Sequence, residues 1–148
     1  QIFFMKKNLV DISHTSYHII NSDNKIIGSR IAKDMNHKLL LSSCDIGLST
    51  VIMKKEIITN KIKFAHINTK EDYVLWLKIT LNNKKIFALK NNLTKWRKLN
   101  DSLSASKIQN LHDGYLVYSR YMNFNLVKSF ICLLLLSFKY GLKSLRNK

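Results

Sequence analysis

Residues 69–81, TKEDYVLWLKITL, decide how this 148-residue chain is to be folded. Val74, Leu75, Leu77, Ile79 and Leu81, together with Trp76, supply apolar side chains on successive turns, so the spacing predicts a helix with a broad buried face. Thr69 followed three residues later by Asp72 has the form of a capping box, with Asp a weaker partner than Glu at that place. Asn82-Asn83 ends the helix.

Outward from this helix the chain reads as short strands and polar turns. Upstream, residues 11–21 (DISHTSYHIIN) and 25–31 (KIIGSRI) are rich in β-branched and aromatic side chains. They flank Ser22-Asp23-Asn24, which predicts a β-hairpin. Residues 1–8 (QIFFMKKN) look like the end of a helix, and residues 36–43 (NHKLLLSS) like a turn or two of helix capped by Asn36. Residues 46–54 (IGLSTVIMK) predict a buried strand whose Gly47 lies close to another backbone or a ligand. Residues 55–60 suit a small helix, and a loop follows over 64–68. Downstream, residues 85–89 and 93–97 read as two short strands joined through Asn91-Asn92. A polar loop over 100–104 comes next. Tyr115, Tyr118 and Tyr121 recur at a spacing of three with Leu111 and Val117, which predicts a packed helix over 106–123. A last helix over 125–145 encloses the apolar block 130–136 (FICLLLL). No repeat, low-complexity linker or proline marks a boundary.

Composition narrows the function. With 46% hydrophobic and 23% charged residues the chain can form a core, and global disorder is disfavoured. The net charge is +16, but of the 25 cations only 4 are Arg, the residue that clamps phosphates and reads guanine edges. The Lys, Asn and Ile bias also fits an AT-rich coding sequence. Nucleic acid is therefore not the expected partner, whereas anionic headgroups and sugar nucleotides are compatible with the charge. Cys44 and Cys132 stand apart, without a Cys-x-x-Cys or Cys/His cluster, and His14, His18, His37, His66 and His112 form no helical zinc pair. The apolar block between Lys128 and Lys139 is shorter than the ~20 residues of a membrane-spanning helix. With Lys143, Arg146 and Lys148 nearby, it fits a basic helix lying among headgroups, and it fits a core-packing helix equally well.

Two features carry potential chemistry. Glu71 and Asp72 are adjacent acids at a helix start, where backbone N–H groups and the dipole hold a carboxylate ready to accept a proton. On spacing alone such acids more often simply cap. The run 42–50, SSCDIGLST, puts hydroxyls around Gly47 and could hydrogen-bond a sugar, although a hydroxyl-rich strand entry is also an ordinary structural feature. Cys44 has no His base nearby in sequence and suits a packing role.

In order, CDIGLSTVIMKK, TKEDYVLWLKI, LTKWRKLNDSLSASK and DGYLVYSRYMNFNLVKSF resemble the C-terminal half of bacterial family 2 glycosyltransferases of the GT-A fold, which build lipopolysaccharide, teichuronic acid and other surface glycans. QIFFMKKNLVDISHTSYHII is similar to the segment after their donor-site aspartates, so the resemblance covers nearly the whole chain. It implies a partial GT-A-like α/β fold, a mixed sheet with flanking helices. Residues 1–105 would be the acceptor-side half and residues 106–148 a C-terminal amphipathic helical extension. It implies inverting transfer of a sugar from a nucleotide-diphosphate donor to a hydroxyl of a surface-glycan or lipid-linked acceptor. Asp72 would be the general base, supported by Glu71. Gly47, Ser49, Thr50, Trp76 and Arg97 are the candidate substrate contacts. Arg97 would neutralise the diphosphate or order the loop 98–104, unless it is a surface salt bridge.

One departure bears on activity. The family's Asp-x-Asp motif, which holds a divalent cation (Mg²⁺ or Mn²⁺) across the donor phosphates, is absent. The expectation is a transferase when full length, inactive as this fragment alone, working in the cytoplasm at the inner face of the cell membrane with an anionic lipid surface as partner. No secretory signal is visible at Gln1. The competing expectation is a non-catalytic basic module that binds anionic membrane or nucleic acid.

Overall fold

The computed structural model describes residues 1–99 and 106–146. The elements run α1 (Ile2–Lys7), β1 (Ile12–Ile20), β2 (Ile26–Arg30), α2 (His37–Leu40), β3 (Ile52–Met53), α3 (Glu71–Leu81), β4 (Phe87–Arg97), α4 (Lys107–Leu116) and α5 (Leu126–Arg146). α4 continues into a π-helical segment, Val117–Tyr121. The architecture is the expected mixed α/β one, and it is compatible with part of a GT-A-like fold. The predicted 100–104 loop and the C-terminal Lys148 lie outside the described residues.

β1 is the centre of a four-stranded mixed sheet. From Ser13 to Ile20 it pairs in parallel with β4, while its other edge pairs antiparallel with β2 through residues 17–20 and with β3 through Ile12 and Ser13. The predicted hairpin is β1–β2. Flanked on both sides, β1 buries Ile12 through Ser16 without a break, so even His14 and Ser13 are inaccessible.

Three local expectations need correcting. The two strands predicted either side of Asn91-Asn92 are one strand, β4. The turn-like residues mark bulges, because Thr15 pairs with Leu89 and Ser16 with Asn92, and the next step to Tyr17–Thr94 skips Leu93. With Lys90 and Lys95, these bulges give β4's outer edge the features that discourage edge-to-edge pairing. The strand predicted over 46–54 shrinks to Ile52–Met53, because Leu48–Thr50 forms a 3-10 turn closed by Thr50 N–H on Gly47 O at 2.9 Å. Residues 55–57 are likewise only one 3-10 turn.

α3 forms as predicted and is the core of the molecule. Tyr73, Val74, Leu75, Trp76, Leu77, Ile79 and Thr80 are all buried, so the helix is covered nearly all round. It packs with Ile12, Met35, Leu40, Ile46, Ile57, Ile86, Val117, Tyr118 and Cys132 in one cluster, which joins the sheet to the C-terminal helices. α4 and α5 cross closely at Gly114, where a Cβ would lie 2.8 Å from Leu133 Cδ1. α5 turns Ser129 and Cys132 inward and leaves Leu134 and Phe138 exposed. The core-packing expectation thus holds for one face of that helix. Among the described residues no helix is long and apolar enough to cross a membrane.

Candidate active site

The N-terminus of α3 is built differently from a capping box. Lys70 takes the N-cap position in the left-handed region (φ 66°), and no side chain caps the helix from there. Thr69 turns away to α4, its N–H and hydroxyl donating to Asp113 Oδ2 at 2.7 and 2.8 Å. Lys70 Nζ donates to Asn110 Oδ1 at 3.1 Å. The acceptor that organises this end of α3 therefore comes from 44 residues downstream. Burial would raise the pKa of Asp113. The Thr69, Gln109 and His112 hydrogen bonds outweigh it and hold the carboxyl below the ordinary value.

Asp72 is not paired with Thr69; its carboxylate accepts locally from the Tyr73 N–H of the first turn at 2.7 Å. It is half-buried. Burial first, and the neighbouring Glu71 charge second, raise its pKa, against the backbone hydrogen bonds and Lys70. A carboxylate made more basic while held at a helix N-terminus is suited to take a proton from a hydroxyl.

Tyr73 and Tyr118 carry the 42–47 segment to this carboxylate. The Tyr73 hydroxyl donates to Leu40 O, the Tyr118 hydroxyl donates to Leu41 O at 2.8 Å, and the two hydroxyls lie 2.9 Å apart. The next residues therefore start beside α3. Cys44 feels the Asp72 charge, and burial first and that charge second push its thiol up to about 12. It is a neutral thiol at physiological pH, in keeping with a packing role. Asp45 accepts from Lys143 Nζ at 2.5 Å and from the Ser43 hydroxyl at 3.2 Å, which ties the segment to α5. Gly47 lies against Tyr17, where a Cβ would be 3.2 Å from the ring. The close approach expected of Gly47 is thus to a side chain.

The remaining candidates divide. Glu71 is half-buried beside Asp72, and Ser49 is exposed on the 3-10 turn. Thr50 is buried with its hydroxyl donating to Gly47 O at 2.7 Å, so it braces the turn instead of facing a ligand. Trp76 is fully buried and packs inside the core, out of reach of any substrate. Arg97 clamps the β1–β2 turn, donating to Asn21 O (2.8 Å), Ser22 O (3.0 Å) and Asn24 Oδ1 (2.6 Å). Those bonds order a different loop from the one expected. Asp113, Lys70, Asp45 and Lys143 were not singled out from sequence for the site. The one available signal was an acid followed by glycine, Asp113-Gly114, in a chain with nine acids.

An open recess of about 700 Å³ lies beyond the opposite end of α3, lined by Phe4, Asp11, Asp34, Lys84 and Phe87 among others. It contains none of the candidate site residues. Among the described residues no three His, Cys, Asp or Glu side chains gather to hold a metal ion.

The chain is 34% identical over 114 residues to UDP-Glc:alpha-D-GlcNAc-diphosphoundecaprenol beta-1,3-glucosyltransferase WfgD of Escherichia coli, covering 75% of the chain and 44% of that protein. It is 38% identical over 114 residues to the Escherichia coli enzyme WfaP, which carries the same description, covering 75% of the chain and 43% of the relative. Over three quarters of its own length the chain is thus similar to part of these two Escherichia coli glycosyltransferases. TuaG of Bacillus subtilis (strain 168), named for teichuronic acid biosynthesis, is 23% identical over 134 residues, 89% of the chain and 53% of that protein. The chain spans about half the length of the curated relatives it matches. No family model and no solved structure matches it.

Proposed function

We propose that this chain is the acceptor side of an inverting, family 2-type glycosyltransferase that moves a sugar from a nucleotide-diphosphate donor to a hydroxyl of a lipid-linked surface-glycan acceptor. The likeness to enzymes named for UDP-Glc and a diphosphoundecaprenol-linked sugar supports both substrate classes. The placement of Asp72 carries the mechanism: a half-buried carboxylate with raised basicity, at the start of the central helix and beside the 42–47 segment.

In this reading the acceptor hydroxyl gives its proton to Asp72 as its oxygen bonds to the anomeric carbon. The carbon–oxygen bond to the diphosphate breaks on the far side, and the nucleoside diphosphate leaves with the electron pair. Attack opposite the leaving group inverts the centre. Glu71 holds the Asp72 basicity up through its charge. Ser49, exposed on the 3-10 turn, is the candidate acceptor contact left on this segment. The divalent cation expected for such donors would have its ligands outside the described residues. The membrane face where a lipid-linked acceptor resides is the proposed place of work.

The experiment is Asp72→Asn in the whole protein, assayed for sugar transfer to a lipid-linked acceptor. Loss of a general base predicts a fall in turnover of ~10²–10⁴-fold with donor affinity unchanged. Turnover at the unsubstituted level would remove Asp72 from the reaction.

A further inference from the structure

α5 presents an apolar side largely to solvent, touched among the described residues by the Tyr115 ring of α4, whose centre lies 5.6 Å from that of Phe130. Leu126, Val127, Phe130, Ile131, Leu134 and Phe138 are each half-exposed or more, with Leu134 at 67% and Phe138 at 66%. They recur at spacings of three and four and so form one stripe along the helix. The helix has no acidic residue. Lys128 borders one edge of the stripe, with its Nζ 3.7 Å from the centre of the Phe124 ring. Lys139 and Lys143 reach back into the domain, where Lys139 Nζ donates to Ser42 Oγ at 2.6 Å and Lys143 Nζ to Asp45 Oδ1 at 2.5 Å.

We propose that α5 docks on an anionic bilayer with its outer apolar stripe buried at the headgroup–acyl boundary, while its inward lysines hold the 42–45 segment at a fixed depth below it. Lys128 at the edge, the absence of acids on the helix and the net charge of +16 match a negative lipid surface. They do not match a second copy of the chain, since each copy carries +16 and would meet like charge along that edge. The helix lies in the interface and does not insert across it. The consequence rests on the glycosyl-transfer reading: a lipid-linked hydroxyl would arrive beside the residues that lead to Cys44 and Asp72. The docking itself does not depend on that reading.

The test is flotation of the chain with phosphatidylglycerol-rich vesicles and with pure phosphatidylcholine vesicles, at low and high salt. Binding to the anionic vesicles is expected, weakened by salt, and reduced at least ~10-fold by Leu134→Glu with Phe138→Glu. Both positions face solvent, and circular dichroism checks that the double variant is folded. In a separate variant, Phe138→Trp gives a blue-shifted emission component on anionic vesicles if the stripe enters the bilayer. Failure of the unsubstituted chain to float overturns the proposal. So does equal binding by the glutamate variant, which would mean that bulk charge alone attracts the chain. A concentration-dependent dimer that the same glutamates dissociate, with vesicle binding unchanged, would assign the stripe to a second copy instead. Asp72→Asn is expected to float like the unsubstituted chain, so the docking and the proposed base fail independently.

Discussion

α3 and α5 are both rich in apolar residues, yet the molecule uses them in opposite ways. α3 has 11 residues with seven buried, and its two sides are closed by the sheet and by the C-terminal helices. α5 has 21 residues, and its buried positions Ser129 and Cys132 lie on one side only. Apolar content therefore measures how much surface a helix must hide, while the neighbours determine what hides it. The sharpest way to break the contrast is Trp76→Ala. Emptying a fully buried indole site costs ~3–5 kcal/mol, by lost transfer energy and the cavity left behind. Urea denaturation should show this as a large fall in midpoint with little change in slope. A cost under ~1 kcal/mol would mean that α3 is not the closed core described.

The next effect comes from the join between the two regions. Asp113 on α4 accepts both Thr69 hydrogen bonds at the start of α3. Asp113→Ala leaves that buried N–H and hydroxyl unpaired, an expected cost of ~1–3 kcal/mol, and Asp113→Asn, which keeps one acceptor, should recover part of it. The sign of the pH dependence follows from the lowered pKa of Asp113. Its contribution is present above the unfolded-state value of ~3.9 and is lost as pH falls through the folded value. The gap between the native chain and Asp113→Asn should therefore close in acid. A gap independent of pH would show that the carboxylate charge does not hold this junction.

The same two regions explain what could be read from sequence. The helix over 69–81 was legible because Val74, Leu75, Leu77 and Ile79 announce burial on several sides within a few residues. The β1–β2 hairpin was legible because Ser22-Asp23-Asn24 lies between two β-branched runs. The cap at Thr69 was misread because the competing acceptor, Asp113, is distant in sequence and near only after α4 folds back. Asn91-Asn92 carried a turn signature that a parallel neighbour absorbed as a bulge. Of the site, the acids Glu71 and Asp72 stood out by type and place, whereas the Lys143–Asp45 tie across 98 residues left no local trace. Trp76 illustrates the reverse error: an aromatic residue in a functional-looking motif can be wholly structural.

A smaller effect separates the catalytic carboxylate proposed here from ordinary packing. Asp72 has a raised pKa, led by burial, so its ionised form is disfavoured in the folded state. The favourable contribution is complete below the unfolded-state value of ~3.9 and is lost as pH rises through the folded value, leaving a net cost at neutral pH. Asp72→Asn keeps an acceptor for the Tyr73 N–H and removes the charge. The variant should melt slightly higher than the native chain at about pH 8, with the advantage shrinking toward about pH 4. A variant that melts lower at both values would mean that the carboxylate stabilises the helix start, which is what a simple cap does.

The smallest expected effect lies on the outer stripe of α5, where Leu134→Ala is the natural counterpart of Trp76→Ala. A leucine that is 67% exposed has already left most of its surface in water, so its truncation removes few contacts and opens no cavity. Alanine is also the better helix former, by a few tenths of a kcal/mol, and offsets part of the loss. The change in folding stability in dilute solution should fall within ~0.5 kcal/mol of zero, as for surface positions in general. A cost of several kcal/mol in a monomeric chain would mean that the stripe is covered from within the molecule, and the contrast between the two helices would disappear. A near-zero cost in solution, joined to a measurable loss of affinity for anionic vesicles, would instead place the burial of this leucine outside the folded chain, at the surface it meets.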